Sequence, residues 1–335
     1  MATATTQKEK PKPKQAYSFI AGGLAGSFAA TITCPLEVLK TKLQSTMTHN
    51  VVVASTEAGK DATKRSVWDS YKVLVVAKQI AVQEGPVGFF RGLLPTVLGI
   101  FPTRATYFWA YSTVKSKMEP VLGNSPGTHI ISAASAGIGS AVATNPIWMI
   151  KTRYQLAAGT PNPYRSYSEV ISIIWNNEGV GGFYKGLSAS IWGVSETIIQ
   201  FLIYERVKAE MLERARAIDP EAELKGMQVF SAAAGAKMTA SLMTYPHEVV
   251  RTRLREKVPE GMQPKYIGMA QSLRVIFMEE GIRGLYSGIE AHMLRTVPNA
   301  AFMFLAYESV VKFLTKAEER IKLRKEEQRI KGNLY

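Results

Sequence analysis

Three near-copies of one phrase constrain this chain more than anything else in it. Pro35-Leu36-Glu37-Val38-Leu39-Lys40, Pro146-Ile147-Trp148-Met149-Ile150-Lys151 and Pro246-His247-Glu248-Val249-Val250-Arg251 recur about a hundred residues apart. A second phrase follows each copy: Glu84-Gly85 leading to Phe90-Arg91-Gly92, Glu178-Gly179 leading to Tyr184-Lys185-Gly186, and Glu280-Gly281 leading to Tyr286-Ser287-Gly288. Two phrases in fixed order, three times over, demand a threefold architecture. Each break in the symmetry is then a candidate for specificity.

A length of 335 residues fits two ordinary domains, but the repeat argues for one unit built from three parts. The mean hydropathy of −0.02 is low for a membrane protein and conceals strong local contrast. Uncharged stretches run over 16–36 and 120–150, and a bilayer crossing needs about 20 helical residues. The other candidate spans carry one charge each: Arg104, Glu196, Lys237 and Arg295. The expected fold is an all-α membrane protein with two transmembrane helices per repeat. The first helices of the pairs are expected over 16–45, 126–156 and 227–256, the second over 92–118, 186–213 and 289–315. A shorter amphipathic segment lies within each pair, over 68–84, 165–178 and 267–280.

The chain divides into a disordered basic tail 1–15, repeats 16–118, 126–213 and 227–315, and a charged tail 316–335. The polar linkers 45–66, 157–164 and 256–265 read as loops. Glycine and alanine are dense in the first helices, at Gly22, Gly23, Gly26 and Ala30, at Ala133, Ala134, Gly137 and Gly139, and at Ala233, Gly235 and Ala236. Small residues at such spacing let helices approach closely in lipid.

A net charge of +14 suggests nucleic acid, anionic lipid or an anionic substrate. A soluble basic repeat binding nucleic acid would show a polar face over 120–150, and none is there. The single cysteine, Cys34, excludes a disulfide framework and a cysteine-based zinc cluster, and the four histidines add no metal spacing. No metal or cofactor is expected. Without a nucleophile–base pair or a phosphate loop the chain does not read as an enzyme. Residues 1–15 are polar and lysine-rich with no apolar core, so no secretory signal is expected and any organelle address is internal. Six spans put both termini on one side of the membrane; basic loops on both sides leave the orientation open.

A proline inside a helix removes a hydrogen bond and bends it. Two residues past the proline stands an acid, Glu37 or Glu248; five past it stands a base, Lys40, Lys151 or Arg251. Such charges persist within a membrane when they are paired or facing water, and acid and base at this offset can pair around a ring from one helix to the next. The alternative is snorkelling of isolated charges at the membrane edge.

Here the chain resembles the mitochondrial carrier family, whose signature is the tripled proline–acid–base phrase with its glutamate–glycine and aromatic–base–glycine continuation. The resemblance covers roughly 16–315. It implies a pseudo-threefold six-helix barrel around a central cavity, the mitochondrial inner membrane with both termini toward the intermembrane space, and alternating access by one monomeric chain. The family's matrix-side ion pairs fall on Glu37 with Lys151 and Glu248 with Lys40; Trp148 stands where Arg251 would need an acid. Its glutamine braces fall on Gln44 and Gln155, with Arg255 at the third position. The opposite gate has the pattern aromatic–acid–x–x–base. Tyr204 with Glu205 and Lys208 matches fully, Tyr111 with Lys115 lacks the acid, and Tyr307 with Glu308 lacks the base at 311. Only Glu308 with Lys115 remains intact by the family's cyclic pairing, so the empty protein is expected to rest open toward the cytosol. Cardiolipin is implied at helix starts, at Arg91-Gly92, Lys185-Gly186, Gly288 and Gly268; these glycines equally read as plain helix caps.

Aligning the second helices on Tyr111, Tyr204 and Tyr307 stacks Gly99 on Trp192 and Arg295, and Thr103 on Glu196 and Asn299. The mid-span charges Arg104, Glu196, Lys237 and Arg295 are therefore all asymmetric and are functional candidates. Arg295 and Arg104 suit phosphate because a guanidinium binds its oxygens bidentately. Lys237 adds a third cation, Glu196 and Asn299 suit a base edge, and Trp192 or Tyr107 suits stacking. Alternatively Glu196 pairs with Lys237 or Arg104 only to hold helices together. The phrases Pro246 to Arg255, Arg295-Thr296-Val297-Pro298-Asn299, Ala236-Lys237-Met238, Ser195-Glu196-Thr197 and Pro102-Thr103-Arg104-Ala105 look most like the fungal pyrimidine nucleotide carriers. That resemblance implies exchange of pyrimidine nucleoside di- and triphosphates. The alternatives are a carrier of NAD, FAD or folate, which share the proline–isoleucine–tryptophan of the second repeat, or a carrier fold serving as a receptor.

Overall fold

The computed structural model describes residues 15–46, 67–158, 160, 163–217, 219, 222–224, 226–258 and 262–332. The basic tail expected before residue 15 and most of the first linker lie outside them. The described residues are helical, without strands. They form α1 (Gln15–Leu43), α2 (Val67–Glu84), a 3-10 turn (Gly85–Phe90), α3 (Leu93–Leu122), α4 (Pro126–Leu156), α5 (Tyr167–Gly182), α6 (Leu187–Trp192), α7 (Val194–Arg216), α8 (Gly226–Thr244), α9 (Pro246–Leu254), α10 (Met269–Leu285) and α11 (Ile289–Gly332).

Local chemistry sets these boundaries. Ser125 caps α4 by accepting from the Thr128 N–H at 3.3 Å, with Pro126 at the first helical position. Ser166 caps α5, while Glu169 reaches back to the Arg165 N–H at 2.6 Å. Pro35 and Pro146 sit inside continuous helices, whereas the helix expected over 227–256 divides at Pro246 into α8 and α9. The helix expected over 186–213 divides at Gly193, where a Cβ would lie 2.8 Å from Nε2 of His247. α11 runs well past residue 315 into the charged tail.

Both glycine sets of the repeated phrases have a backbone reason. Gly85, Gly179 and Gly281 have φ of +66°, +64° and +66°, and Gly92, Gly186 and Gly288 have +80°, +77° and +77°. Only glycine adopts that region without a Cβ penalty.

α1 packs on α3 and α4 on α6 and α7 within the repeats; α3 packs on α4, α7 on α8 and α11 on α1 between them. The close approaches use small residues one helical turn apart, again three times. Ala21, Ala25 and Ala29 are buried on α1, Ser132, Ala136 and Ser140 on α4, and Ala232, Ala236 and Ala240 on α8. These lie beside the glycines that the sequence pointed to; Gly23 and Gly26 instead face Phe101 and Ile100 of α3. Below the prolines, apolar clusters tie each block to its short helix: Cys34, Val38 and Leu39 to Val76 and Ile80, Met149 to Val170 and Ile174, and Tyr245, Val249 and Val250 to Met269 and Ile276.

Among the described residues, four stretches can cross a membrane by length and composition: 21–43, 73–122, 126–156 and 187–216. The other two expected spans are α8, whose apolar character is diluted by Gln228 and Lys237, and α11, which carries His292 and Arg295.

Candidate functional site

The three proline blocks converge. Lys40 forms an ion pair with Glu248, and Lys151 meets Glu37 at 2.7 Å, so both pairings expected between helices are present. The side chains of Lys40 and Lys151 are each 8% exposed, which makes these pairs costly to break. The third link is not an ion pair between helices. Arg251 turns to Glu248 of its own helix at 2.8 Å, and Lys151 lies 4.9 Å from the ring centre of Trp148, which fills the place of the missing acid. Two further groups from α11 join: Arg295 lies 3.8 Å from Glu37, and His292 Nδ1 lies 3.8 Å from Glu248.

One turn further on, the blocks are joined by hydrogen bonds that the sequence reading missed. Thr41, Thr152 and Thr252 occupy equivalent places, as do Gln44, Gln155 and Arg255. Thr252 Oγ1 donates to Gln44 Oε1 at 2.8 Å, Thr41 Oγ1 to Gln155 Oε1 at 3.3 Å, and Arg255 Nη1 donates to Thr152 Oγ1 at 3.2 Å. A ring of three contacts results. Arg255 does more than a glutamine can, because it also donates to Asn145 Oδ1 at 2.8 Å and to the Trp148 carbonyl at 3.4 Å. The signal for this ring was present in the repeated threonine, six residues past each proline.

Outside that ring, Arg153 pairs with Glu178 and Arg253 with Glu280, each linking a block to the glutamate of the second phrase. Their Nε atoms also donate across repeats, Arg153 to the Arg255 carbonyl at 3.0 Å and Arg253 to the Gln44 carbonyl at 3.1 Å. Lys185 meets the other oxygen of Glu178 at 2.6 Å. Burial works against ionisation of Glu178, but the hydrogen bonds from Arg153 and Lys185 outweigh it and hold its carboxyl below the usual range. Arg91 pairs with Glu84 in the first repeat.

A cavity of about 390 Å³ opens above the ion pairs. Its floor is formed by Glu37, Lys40, Lys151, Arg251 and Arg255, and its walls include Thr103, Tyr107, Ser140, Thr144, Asn145, Trp148 and Ser190. The site has a cationic floor and walls of mixed polar and apolar side chains, suited to a compact anion with an aromatic or apolar part. The six substrate candidates are not gathered in this lining. Glu196 accepts from Lys237 at 2.6 Å and from Ser241 at 2.5 Å, joining α7 to α8, which is the pairing weighed above as structural. Asn299 accepts from Thr33 at 3.1 Å, Arg295 stands beside Glu37, and Trp192 is 62% exposed. Arg104 is adjacent to the lining residue Thr103. The hydroxyls of Ser140 and Thr144, one turn apart on α4, were legible as a polar stripe continuing from Thr128 and Ser132.

Toward the other end, the residues of the opposite gate make local contacts. Glu308 meets Lys312 of its own helix at 2.8 Å. Tyr111 Oη lies 2.7 Å from His129 Nδ1, and Lys208 lies 5.6 Å from the ring centre of Tyr204. Glu205 is exposed and Tyr307 half-buried. Of the lipid candidates, Gly92 and Gly186 immediately precede α3 and α6, and Gly288 precedes α11, all with positive φ; Gly268 precedes α10 in extended backbone. Glu196, His247 and Glu248 bring potential metal-ligand atoms within 4.8 Å of one another, but both carboxylates already face lysines.

The chain matches the family described as mitochondrial carrier protein three times, at residues 11–121, 123–215 and 222–318. It is similar to the mitochondrial pyrimidine nucleotide transporter RIM2 of Saccharomyces cerevisiae, with 38% identity over 91% of this chain and 88% of the relative. It is 44% identical to solute carrier family 25 member 36 of Mus musculus, over 88% of this chain and 96% of the relative. It is 35% identical to the mitochondrial carrier protein rim2 of Schizosaccharomyces pombe, over 94% of each chain. The tripled phrases, the tripled family match and the converging proline blocks agree: this chain belongs to the mitochondrial carrier family, whose members are transporters and not enzymes.

Proposed function

We propose that this chain exchanges pyrimidine nucleoside di- and triphosphates across the mitochondrial inner membrane. The observation that carries the reading is a cavity whose floor gathers Lys40, Lys151, Arg251 and Arg255, in a chain 38% identical to a protein named as a pyrimidine nucleotide transporter. A triphosphate brings negative charge that Lys40, Lys151, Arg251 and Arg255 attract, and Arg295 and Arg104 add guanidinium forks nearby.

The six spans, α1, α3, α4, α6 with α7, α8 with α9, and α11, form a pseudo-threefold barrel around that cavity, complete in one monomeric chain. The pairs Lys40–Glu248 and Lys151–Glu37 close the matrix side, braced by Gln44, Gln155 and Arg255. With the matrix side closed by these pairs, this conformation is open toward the cytosol, with both termini toward the intermembrane space. Substrate entering from that side weakens the lower pairs by competing for their cations, and the cavity then opens to the matrix as the upper tyrosines and charges close. Glu196 and Lys237 hold α7 to α8 through their own pair, and Asn299 and Trp192 contribute to substrate selection. Cardiolipin headgroups dock at the helix starts at Gly92, Gly186, Gly268 and Gly288, beside Arg91 and Lys185.

Thermal unfolding of the purified protein with added ligands tests the reading, since a ligand that binds only the folded state raises the melting temperature. UTP and CTP are expected to raise it more than ATP, NAD or orthophosphate at equal concentration. A larger shift with NAD, or none with any nucleotide, overturns it.

A further inference from the structure

A second cavity, also of about 390 Å³, lies between α3, α4 and α7 and is lined mainly by apolar side chains. Ala134 of α4 and Ile198 and Phe201 of α7 form apolar walls, and Tyr107 and Tyr111 of α3 form an aromatic one. The two tyrosine rings are nearly parallel, with planes 12° apart and centres 6.3 Å apart. The polar atoms are few. Tyr111 Oη is bonded to His129 Nδ1 at 2.7 Å, and Thr197 supplies a hydroxyl. His129 Nε2 lies 3.0 Å from Asn124 Oδ1, which fixes the ring beside the tyrosine. Whichever atom donates in the Tyr111–His129 bond, the hydroxyl oxygen keeps a lone pair available to a ligand. An apolar cavity with few, fixed polar groups is the usual form of a small-molecule site.

Tyr107 lines this cavity and the cationic one alike. A molecule spanning both has one flat, apolar end with a few hydrogen-bonding atoms and one strongly anionic end. We propose that the second cavity is the seat of the pyrimidine base, stacked on Tyr107 and Tyr111 and read at its edge by Thr197 and the Tyr111 hydroxyl, while the phosphates lie over Lys151, Arg251 and Arg255. This inference rests on the transport reading above and adds the position and direction of the nucleotide.

The test is UTP exchange by proteoliposomes, with inorganic triphosphate as a competitor that has phosphates and no base. Ala134→Leu puts a branched side chain into the second cavity, away from the cations. It is expected to raise the KM for UTP about tenfold, the lower range of what stacking of one base contributes. The inhibition constant of triphosphate is expected to stay within about twofold of wild type, because the phosphate end is untouched. Thr197→Val, close to isosteric, is expected to raise the KM for UTP with the same indifference to triphosphate, and covers the case in which the leucine variant fails to fold. An unchanged KM in both folded variants, or equal weakening of UTP and triphosphate, overturns the base seat while wild-type exchange leaves the transport reading standing. No UTP exchange by the wild-type protein removes both.

Discussion

Glu248 is the hub of the ion-pair layer, and its removal has a cost that differs predictably from that of its partner. Glu248→Gln strands Lys40, whose side chain is 8% exposed, beside Arg251 and His292. Breaking a buried pair from one side costs about 3–5 kcal/mol, because the remaining charge is left uncompensated. Lys40→Gln is milder, since Glu248 keeps Arg251 at 2.8 Å; its cost is that of one charge-assisted hydrogen bond, about 1.5–3 kcal/mol. At roughly 2 °C per kcal/mol for a chain of this size, the drops in melting temperature are about 6–10 °C and 3–6 °C. The double variant leaves no stranded lysine, and Arg251, 31% exposed, can turn to water. It is therefore expected to be more stable than Glu248→Gln alone, with a coupling of up to about 3 kcal/mol. Thermal unfolding of the three variants in one detergent measures this. Additive losses, or a larger loss for Lys40→Gln than for Glu248→Gln, would refute the hub.

Gly186→Ala is expected to cost at least about 1–2 kcal/mol, from the left-handed backbone alone. Its Cβ would also sit 3.1 Å from Arg255 Nε. Gly22→Ala, with nothing within 4 Å, is the control and is expected to be neutral or stabilising in the same unfolding measurement. The Glu178 carboxyl titrates below its unfolded value, so its contribution is complete above about pH 4.3 and is lost as pH falls further. The melting-temperature gap between wild type and Glu178→Gln should hold steady from neutral pH down to about 5 and narrow below about 4.3; a gap that closes already near neutral pH contradicts the Arg153 and Lys185 pairing. Arg295→Ala is expected to lower nucleotide exchange at least about tenfold, the worth of a charged hydrogen bond to phosphate, with the protein still folded by its melting curve. Wild-type exchange in that variant removes Arg295 from substrate binding.

The threefold plan and the helices were legible because both are written in periodicities within one segment. The prolines, the glutamate–glycine pairs and the uncharged runs each repeat along the chain. The pairs Glu37–Lys151 and Glu248–Lys40 were legible too, since the resemblance supplied the order in which neighbouring helices meet. What stayed hidden depends on where a long side chain turns once the helices have met. Arg251 takes a glutamate three residues back on its own helix, and Glu308 a lysine four residues on, because a local partner needs no neighbouring helix. Arg153 and Arg253 both found the glutamates of the second phrase, and the clue was present in a base two residues past each block. Attention to the asymmetric mid-span charges passed over the hydroxyls of Ser140 and Thr144, which line the cavity while Glu196 and Lys237 satisfy each other.

The most direct measurement is uptake of radiolabelled UTP into liposomes carrying the purified protein and loaded with UTP, CTP, ATP, NAD or nothing. Fast uptake against internal UTP and CTP, with little against ATP, NAD or empty vesicles, is the predicted result. Uptake driven by NAD alone, or no uptake under any loading by folded protein, would contradict pyrimidine nucleotide exchange.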